Sequence, residues 1–258
     1  MGIATALVLS MVLVPAPVAS DYVALGDSYA AGVGTGGTGA GCGRSPFSYP
    51  DMYRDAHGYT SFQFPACAGA TIPEVLDRQV PVLSTETGLV TITVGGNDIG
   101  FADVMTTCSL GSDRSCAKAV DEAEELMRTE LPGRYAKLFA AVSDRAPGAK
   151  VVLLGYPRPF EEQACPGGLT AAKRTAVNEG ADLLADVMSA AATAASATFV
   201  DVRTPFLGHG VCGDEPWVNP LTTPTADSYH PNKSGQVGYL RALEAALEPL
   251  ATTQPVAP

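Results

Sequence analysis

Apolar runs of strand length recur along the chain at Tyr22 to Leu25, Ser61 to Pro65, Leu89 to Val94, Lys150 to Leu154 and Thr198 to Val202. Between and after them lie segments with helical patterning, at Tyr49 to Ala56, Pro73 to Val80, Ala117 to Ala146, Thr170 to Ala195 and Ser234 to Leu250. Strands that alternate with helices imply a mainly parallel sheet covered on both faces. Right-handed crossovers then give an α/β fold, a three-layer α/β/α sandwich. In such sheets ligands bind at the carboxyl ends of strands, so residues just after a strand carry extra weight. Three irregular stretches, Gly32 to Ser48, Ile99 to Ser115 and Arg203 to Tyr229, contain or border cysteines and read as long loops rimming a site.

The first strand runs into Gly26-Asp27-Ser28-Tyr29. A serine hydroxyl is a poor nucleophile at neutral pH and needs a neighbouring base, itself oriented by a carboxylate or carbonyl. Some two hundred residues later Asp227-Ser228-Tyr229-His230-Pro231 offers both. Ser28 could equally cap a helix or sit in a turn. Leu89 to Val94 leads into Gly95-Gly96-Asn97-Asp98, where the Asn97 amide is suited to donate to a developing oxyanion, or merely to cap a turn. Ser61 to Pro65 leads into Cys67-Ala68-Gly69-Ala70-Thr71, where Gly69 can present a bare N–H. His57 reads as a surface residue, and His209 lies in a glycine-rich loop with no carboxylate a few residues before it. His230 follows Asp227 by three residues, so the carboxylate can reach Nδ1 while Nε2 faces the serine.

Composition narrows the setting. With 46% apolar residues in 258, the chain can bury one full core. Met1 to Ser20 holds an apolar block from Ile3 to Val14 and ends in Val18-Ala19-Ser20, the pattern of a secretory signal peptide, although no Lys or Arg precedes the block. No other stretch approaches the roughly 18 apolar residues of a membrane span, so a secreted protein without stable membrane insertion is expected. Residues 252 to 258 read as a disordered tail, which leaves 21 to 251 as one domain. The net charge of -11 disfavours nucleic acid as a partner. Six cysteines without a CxxC pair are expected as disulfides between sequence neighbours: Cys42 with Cys67, Cys108 with Cys116, and Cys165 with Cys212. Three scattered histidines without HxH or HExxH spacing make a metal site unexpected, and no cofactor is expected.

Ser28, Gly69, Asn97 and His230, in that order and with their flanking motifs, resemble the four blocks of the SGNH hydrolases, the GDSL esterases and lipases. The resemblance spans nearly the whole chain after residue 20, and the six cysteines are most similar to the secreted bacterial lipase, phospholipase and esterase branch. It implies a flavodoxin-like sheet of about five parallel strands and a carboxylic ester hydrolase working through an acyl-serine intermediate. It also implies Ser28 as nucleophile, His230 as base, and an oxyanion hole of the Ser28 and Gly69 N–H groups with the Asn97 amide. Some members of the branch orient the histidine with a backbone carbonyl; Asp227 is present here, and the orienting role is assigned to it.

Other readings compete. Gly26-Asp27-Ser28-Tyr29-Ala30 approximates the GxSxG elbow of α/β-hydrolases, but that fold needs strands before its nucleophile. Gly32-Val33-Gly34-Thr35-Gly36-Gly37 fits G-x-G-x-x-G, yet more glycines and Pro46 follow where a dinucleotide site needs a helix. Within ester hydrolysis, a carbohydrate O-acetyl esterase is the rival to a lipid esterase. An inactive secreted binding module is the reading from another class. Phe206 to Leu221, with Trp217, either lines an acyl pocket or is simple packing. A monomer is expected.

Overall fold

Strand β1 (Asp21–Gly26) lies inside the core, with its side chains from Tyr22 to Leu25 wholly buried. This computed structural model describes residues 21–36, 41–59, 61–164 and 168–248. The expected signal peptide, the tail and Cys165 lie outside the described residues. Around β1 pair β2 (Phe62–Gln63), β3 (Thr87–Thr93), β4 (Lys150–Leu154) and β5 (Thr198–Val200), all parallel, in the order β2-β1-β3-β4-β5. That order is flavodoxin-like, and it reverses between β1 and β3. Register there is fixed by Leu25 opposite Ile92 and Gly26 opposite Thr93. The ends of these two strands therefore lie side by side, carrying Ser28 and Asn97 out of the sheet together.

Helices cover both faces of the sheet, which makes three layers. α2 (Tyr49–His57) packs on α8 (Lys233–Leu247), while α6 (Leu131–Arg145) packs on α7 (Ala171–Ala194). α5 (Asp113–Thr129) lies against α7, and α4 (Phe101–Leu110) lies against α5. Two short pieces complete the set, α1 (Ser28–Ala31) and α3 (Ile72–Glu74). No described helix is long and apolar enough to cross a membrane.

Three expectations need correction. The single helix expected over Ala117 to Ala146 is two, α5 and α6, separated at Glu130. Pro132 accounts for the break: lacking an N–H, it is accommodated in the first turn of a new helix but not inside a continuing one. The irregular stretch Ile99 to Ser115 holds a ten-residue helix, α4. Its Thr, Cys and Ser residues are weak helix formers, so packing rather than propensity makes it helical. The helix expected over Pro73 to Val80 is a composite, with α3 running into a wide π turn at Val75–Gln79 and a 3₁₀ turn at Val80–Val82. Of the expected disulfides, Cys42–Cys67 and Cys108–Cys116 are formed, and Cys212 is disulfide-bonded.

Candidate active site

Gly26 ends β1 at φ +137°, with a Cβ-sized space already taken by the Thr93 carbonyl, so only glycine brings the chain this close to β3. Gln79 clamps that residue from both sides, accepting from the Gly26 N–H at 2.7 Å and donating to its carbonyl at 2.9 Å. The chain then turns into α1, with Asp27 as its N-cap accepting from the Tyr29 N–H. Ser28 is thereby the first residue of a helix, where an N–H has no partner within the helix. Its hydroxyl lies 2.7 Å from His230 Nε2.

His230 reaches this position on a tightly bonded loop. Tyr229 before it has φ +60°, a left-handed conformation disfavoured for a bulky residue. It is held there by Tyr29, whose hydroxyl donates to the Tyr229 carbonyl at 2.7 Å, and by Asn219. Asn219 pairs its backbone with Tyr229 and His230, and its amide donates to the carbonyls of Gly34 and Asp227. Gly34, at φ +95°, passes so close that a Cβ would sit 2.8 Å from the His230 Cβ.

At the other ring nitrogen the expectation fails. His230 Nδ1 bonds to the Ser228 carbonyl at 3.0 Å, and the Asp227 carboxylate acts on the ring only through its charge. The physical reason is local: Asp227 closes a 3₁₀ turn from Thr225, and its carbonyl accepts from the His230 N–H. Removing the carboxylate should therefore cost little. An Asp227→Asn variant is expected to keep kcat within about tenfold of wild type, against the ~10⁴-fold loss seen when a carboxylate that fixes the tautomer is removed. Steady-state kinetics measures it.

Burial lowers the His230 pKa below its ordinary 6.5, opposed by the Ser228 carbonyl and the Asp227 charge. The ring is thus neutral at pH 7 and able to accept a proton. Its fraction in that form falls as pH drops through the lowered value.

Asn97 and Gly69 converge from the neighbouring loops. Gly69 has φ +80°, open space beyond its Cα, and an N–H without a protein partner among the described residues. The Cys42–Cys67 disulfide and the Ala68 N–H bond to the Cys42 carbonyl fix the segment leading to it. Asn97 donates one amide hydrogen to the Ala70 carbonyl at 3.0 Å, which leaves the other free. Asp98 beside it is buried, bonded to the Ile72 N–H and paired with Arg134 at 2.9 Å. Ser28, Gly69, Asn97 and His230 all line one cavity of about 470 Å³. From there the cavity runs between α5 and α7, lined by Val120, Ala123 and Met127 on one side and by Val177, Ala181 and Leu184 on the other.

Sequence reasoning missed Gln79, Tyr156 and Asn219, since a polar residue inside an apolar pattern or a loop has no signature of its own. Trp217 is packing: it stacks on His209 at 3.8 Å and lies edge-on to Phe206. His57 stacks on Tyr53.

The GDSL-like lipase/acylhydrolase family model matches residues 24–237. "Lipase 1" of Streptomyces coelicolor is 44% identical over 236 residues, covering 89% of this chain and 88% of that protein. The lipase of Streptomyces rimosus is 42% identical over 233 residues, covering 88% and 87%. Among solved structures, phospholipase A1 from Streptomyces albidoflavus superposes with a TM-score of 0.86 at 42% identity, over 88% of this chain and 99% of that one. The extracellular lipase of Streptomyces rimosus gives the same values. An acetyl-xylooligosaccharide esterase from Geobacillus shares the fold alone, at 14% identity and a TM-score of 0.56. With the match running across all four motif blocks, the chain belongs to the GDSL-like lipase/acylhydrolase family and is a carboxylic ester hydrolase.

Proposed function

We propose that this protein is an exported lipase, acting on lipid esters whose acyl chain fills the cavity between α5 and α7. The observation that carries the reading is the apolar lining of that cavity directly beside Ser28. Val120 to Met127 alone spans about 10 Å of helix at 1.5 Å per residue. Burying each methylene there contributes about 0.8 kcal/mol. An acetyl group would leave most of the space unused, which disfavours a carbohydrate O-acetyl esterase. Export is supported by the pattern of residues 1 to 20 and by the extracellular lipase among its relatives.

In the proposed reaction His230 Nε2 takes the Ser28 proton as Oγ bonds to the ester carbonyl carbon, and Ser228 holds the ring through Nδ1. The carbonyl oxygen, now an oxyanion, accepts from the Ser28 and Gly69 N–H groups and the free Asn97 amide hydrogen. The C–O bond to the alcohol then breaks, and the protonated imidazole gives its proton to the leaving oxygen. Water repeats the sequence on the acyl-serine, releasing the fatty acid and restoring the hydroxyl. Asn97→Ala is expected to lower kcat by roughly 10² to 10³, the cost of one oxyanion donor. A variant with near wild-type turnover would remove Asn97 from the hole.

A panel of esters from acetyl to long acyl chains, with triglyceride, phospholipid and acetylated sugar, tests the substrate assignment. kcat/KM should rise as the acyl chain lengthens. Turnover confined to sugar acetates would overturn it.

A further inference from the structure

Asp27 is an ionisable group, only 2% exposed, that the proton transfers above do not use. It sits directly before the nucleophile, and both of its oxygens are engaged. Oδ1 accepts from the Tyr29 N–H at 2.9 Å, and Oδ2 accepts from the Tyr156 hydroxyl at 2.5 Å. The same phenol oxygen accepts from the Gly96 N–H at 3.2 Å. Gly96 is the residue before Asn97. One side chain, arriving from just beyond β4, therefore ties the turn that carries Ser28 to the loop that carries Asn97. Tyr156 is itself 7% exposed and packs edge-on against Tyr29.

We infer that Tyr156, acting through Asp27, is a positioning residue that holds the nucleophile turn and the oxyanion loop in register, and that the ionised Asp27 is the form that does so. The inference rests on the reading of Ser28 as nucleophile and Asn97 as oxyanion donor. Its logic is donor counting. An ionised carboxylate offers acceptors to both Tyr29 and Tyr156, so the phenol proton points to Asp27 and the phenol oxygen stays free for Gly96. A proton on Oδ2 would compete for that oxygen, and the phenol proton would lose its acceptor in a buried site. The span between the two loops would then loosen. Misplacement by 1 Å can cost about 10²-fold in rate.

The surroundings move this ionisation up into the neutral range. Tyr49 on α2, Tyr135 on α6 and Tyr239 on α8 face Asp27 together with Tyr29 and Tyr156, and burial keeps all five phenols un-ionised. The other charge felt there is the Asp98 carboxylate, and His230 lies across Ser28. Burial first, then Asp98, pushes Asp27 up to about 7, against the hydrogen bonds from Tyr156 and Tyr29 that lower it. His230 is shifted the opposite way. The acid side of the activity profile should consequently hold two ionisations, the upper belonging mainly to Asp27 and the lower mainly to His230.

The experiment is kcat and KM against pH for wild type, Tyr156→Phe, Asp27→Asn and Asn97→Ala on one long-chain ester, with a thermal midpoint for each. Tyr156→Phe keeps the ring and removes only the hydroxyl. Its plateau kcat is expected to fall tenfold or more with KM within about twofold, the pattern of a lost transition-state alignment. Its upper ionisation should move to higher pH, since a bond that favours the carboxylate is gone. Asp27→Asn should show one ionisation, and it decides the matter should Tyr156→Phe fail to fold. Tyr156→Phe with an earlier melt but unchanged kcat and profile, or two ionisations persisting in Asp27→Asn, overturns the inference. Should Asn97→Ala alone keep full turnover, the oxyanion reading falls instead.

Discussion

His230→Ala is expected to lower kcat on a long-chain ester by roughly 10⁶-fold, the scale on which removal of a serine's base disables an enzyme of this type. The loss is large because, among the described residues, no other group is placed to take the Ser28 proton. Both oxygens of Asp27 are already taken, one by the Tyr29 N–H and one by the Tyr156 hydroxyl. Asp227 makes no hydrogen bond to the imidazole, and the Ser228 carbonyl can only accept. Thermal stability should change little, since the backbone bonds that shape the loop, His230 N–H to Asp227 and its carbonyl to Asn219, survive the substitution. Steady-state rates and a thermal midpoint on the same preparation check both halves. A residual rate within about tenfold of wild type would assign the base elsewhere.

Gly180→Leu is expected to shift the proposed preference for long acyl chains toward short ones. Gly180 is buried in the interior of α7, where glycine costs about 1 kcal/mol relative to alanine. It lines the cavity beside Ser28, and a Cβ placed there would lie 3.4 Å from a Val120 methyl. The first added carbon makes ordinary contact, and the remainder of a leucine side chain extends into the slot between α5 and α7. Excluding about four methylenes at about 0.8 kcal/mol each removes about 3 kcal/mol, a loss of roughly 10²-fold in kcat/KM for long chains. Acetyl and propionyl esters, which do not reach that depth, should be hydrolysed at rates close to wild type. Improved helix propensity offsets part of any overpacking, so the variant is expected to fold. Equal losses for short and long esters would separate the cavity from the acyl chain.

The strands were legible because each is a short apolar run bounded by turn residues; their alternation with helices implied a parallel sheet, and the flavodoxin-like form came from the family resemblance. Ser28 and Asn97 drew attention because they follow β1 and β3, whose ends meet at the switch point, and Gly69 because it lies in the loop after β2. His230 was legible through its neighbours in sequence. What orients it was not: spacing favoured the Asp227 carboxylate, and only the 3₁₀ turn at Thr225–Asp227 brings the Ser228 carbonyl to Nδ1 instead. Tyr156 and Gln79 were hidden because their partners are 129 and 53 residues away, across strands whose register no local pattern encodes. The cavity beside Ser28 was not located in the sequence for a related reason. Trp217 drew attention as the single tryptophan, whereas the lining residues are small aliphatics on α5 and α7 that read as ordinary helix core.

The central claim is that Ser28 is the nucleophile, and a fluorophosphonate tests it most directly. After reaction at pH 7 to 8 and proteolysis, mass spectrometry should find one phosphonyl adduct, on Ser28, with hydrolysis lost in step with labelling. An unmodified Ser28 in an active preparation that the reagent inhibits would contradict the account.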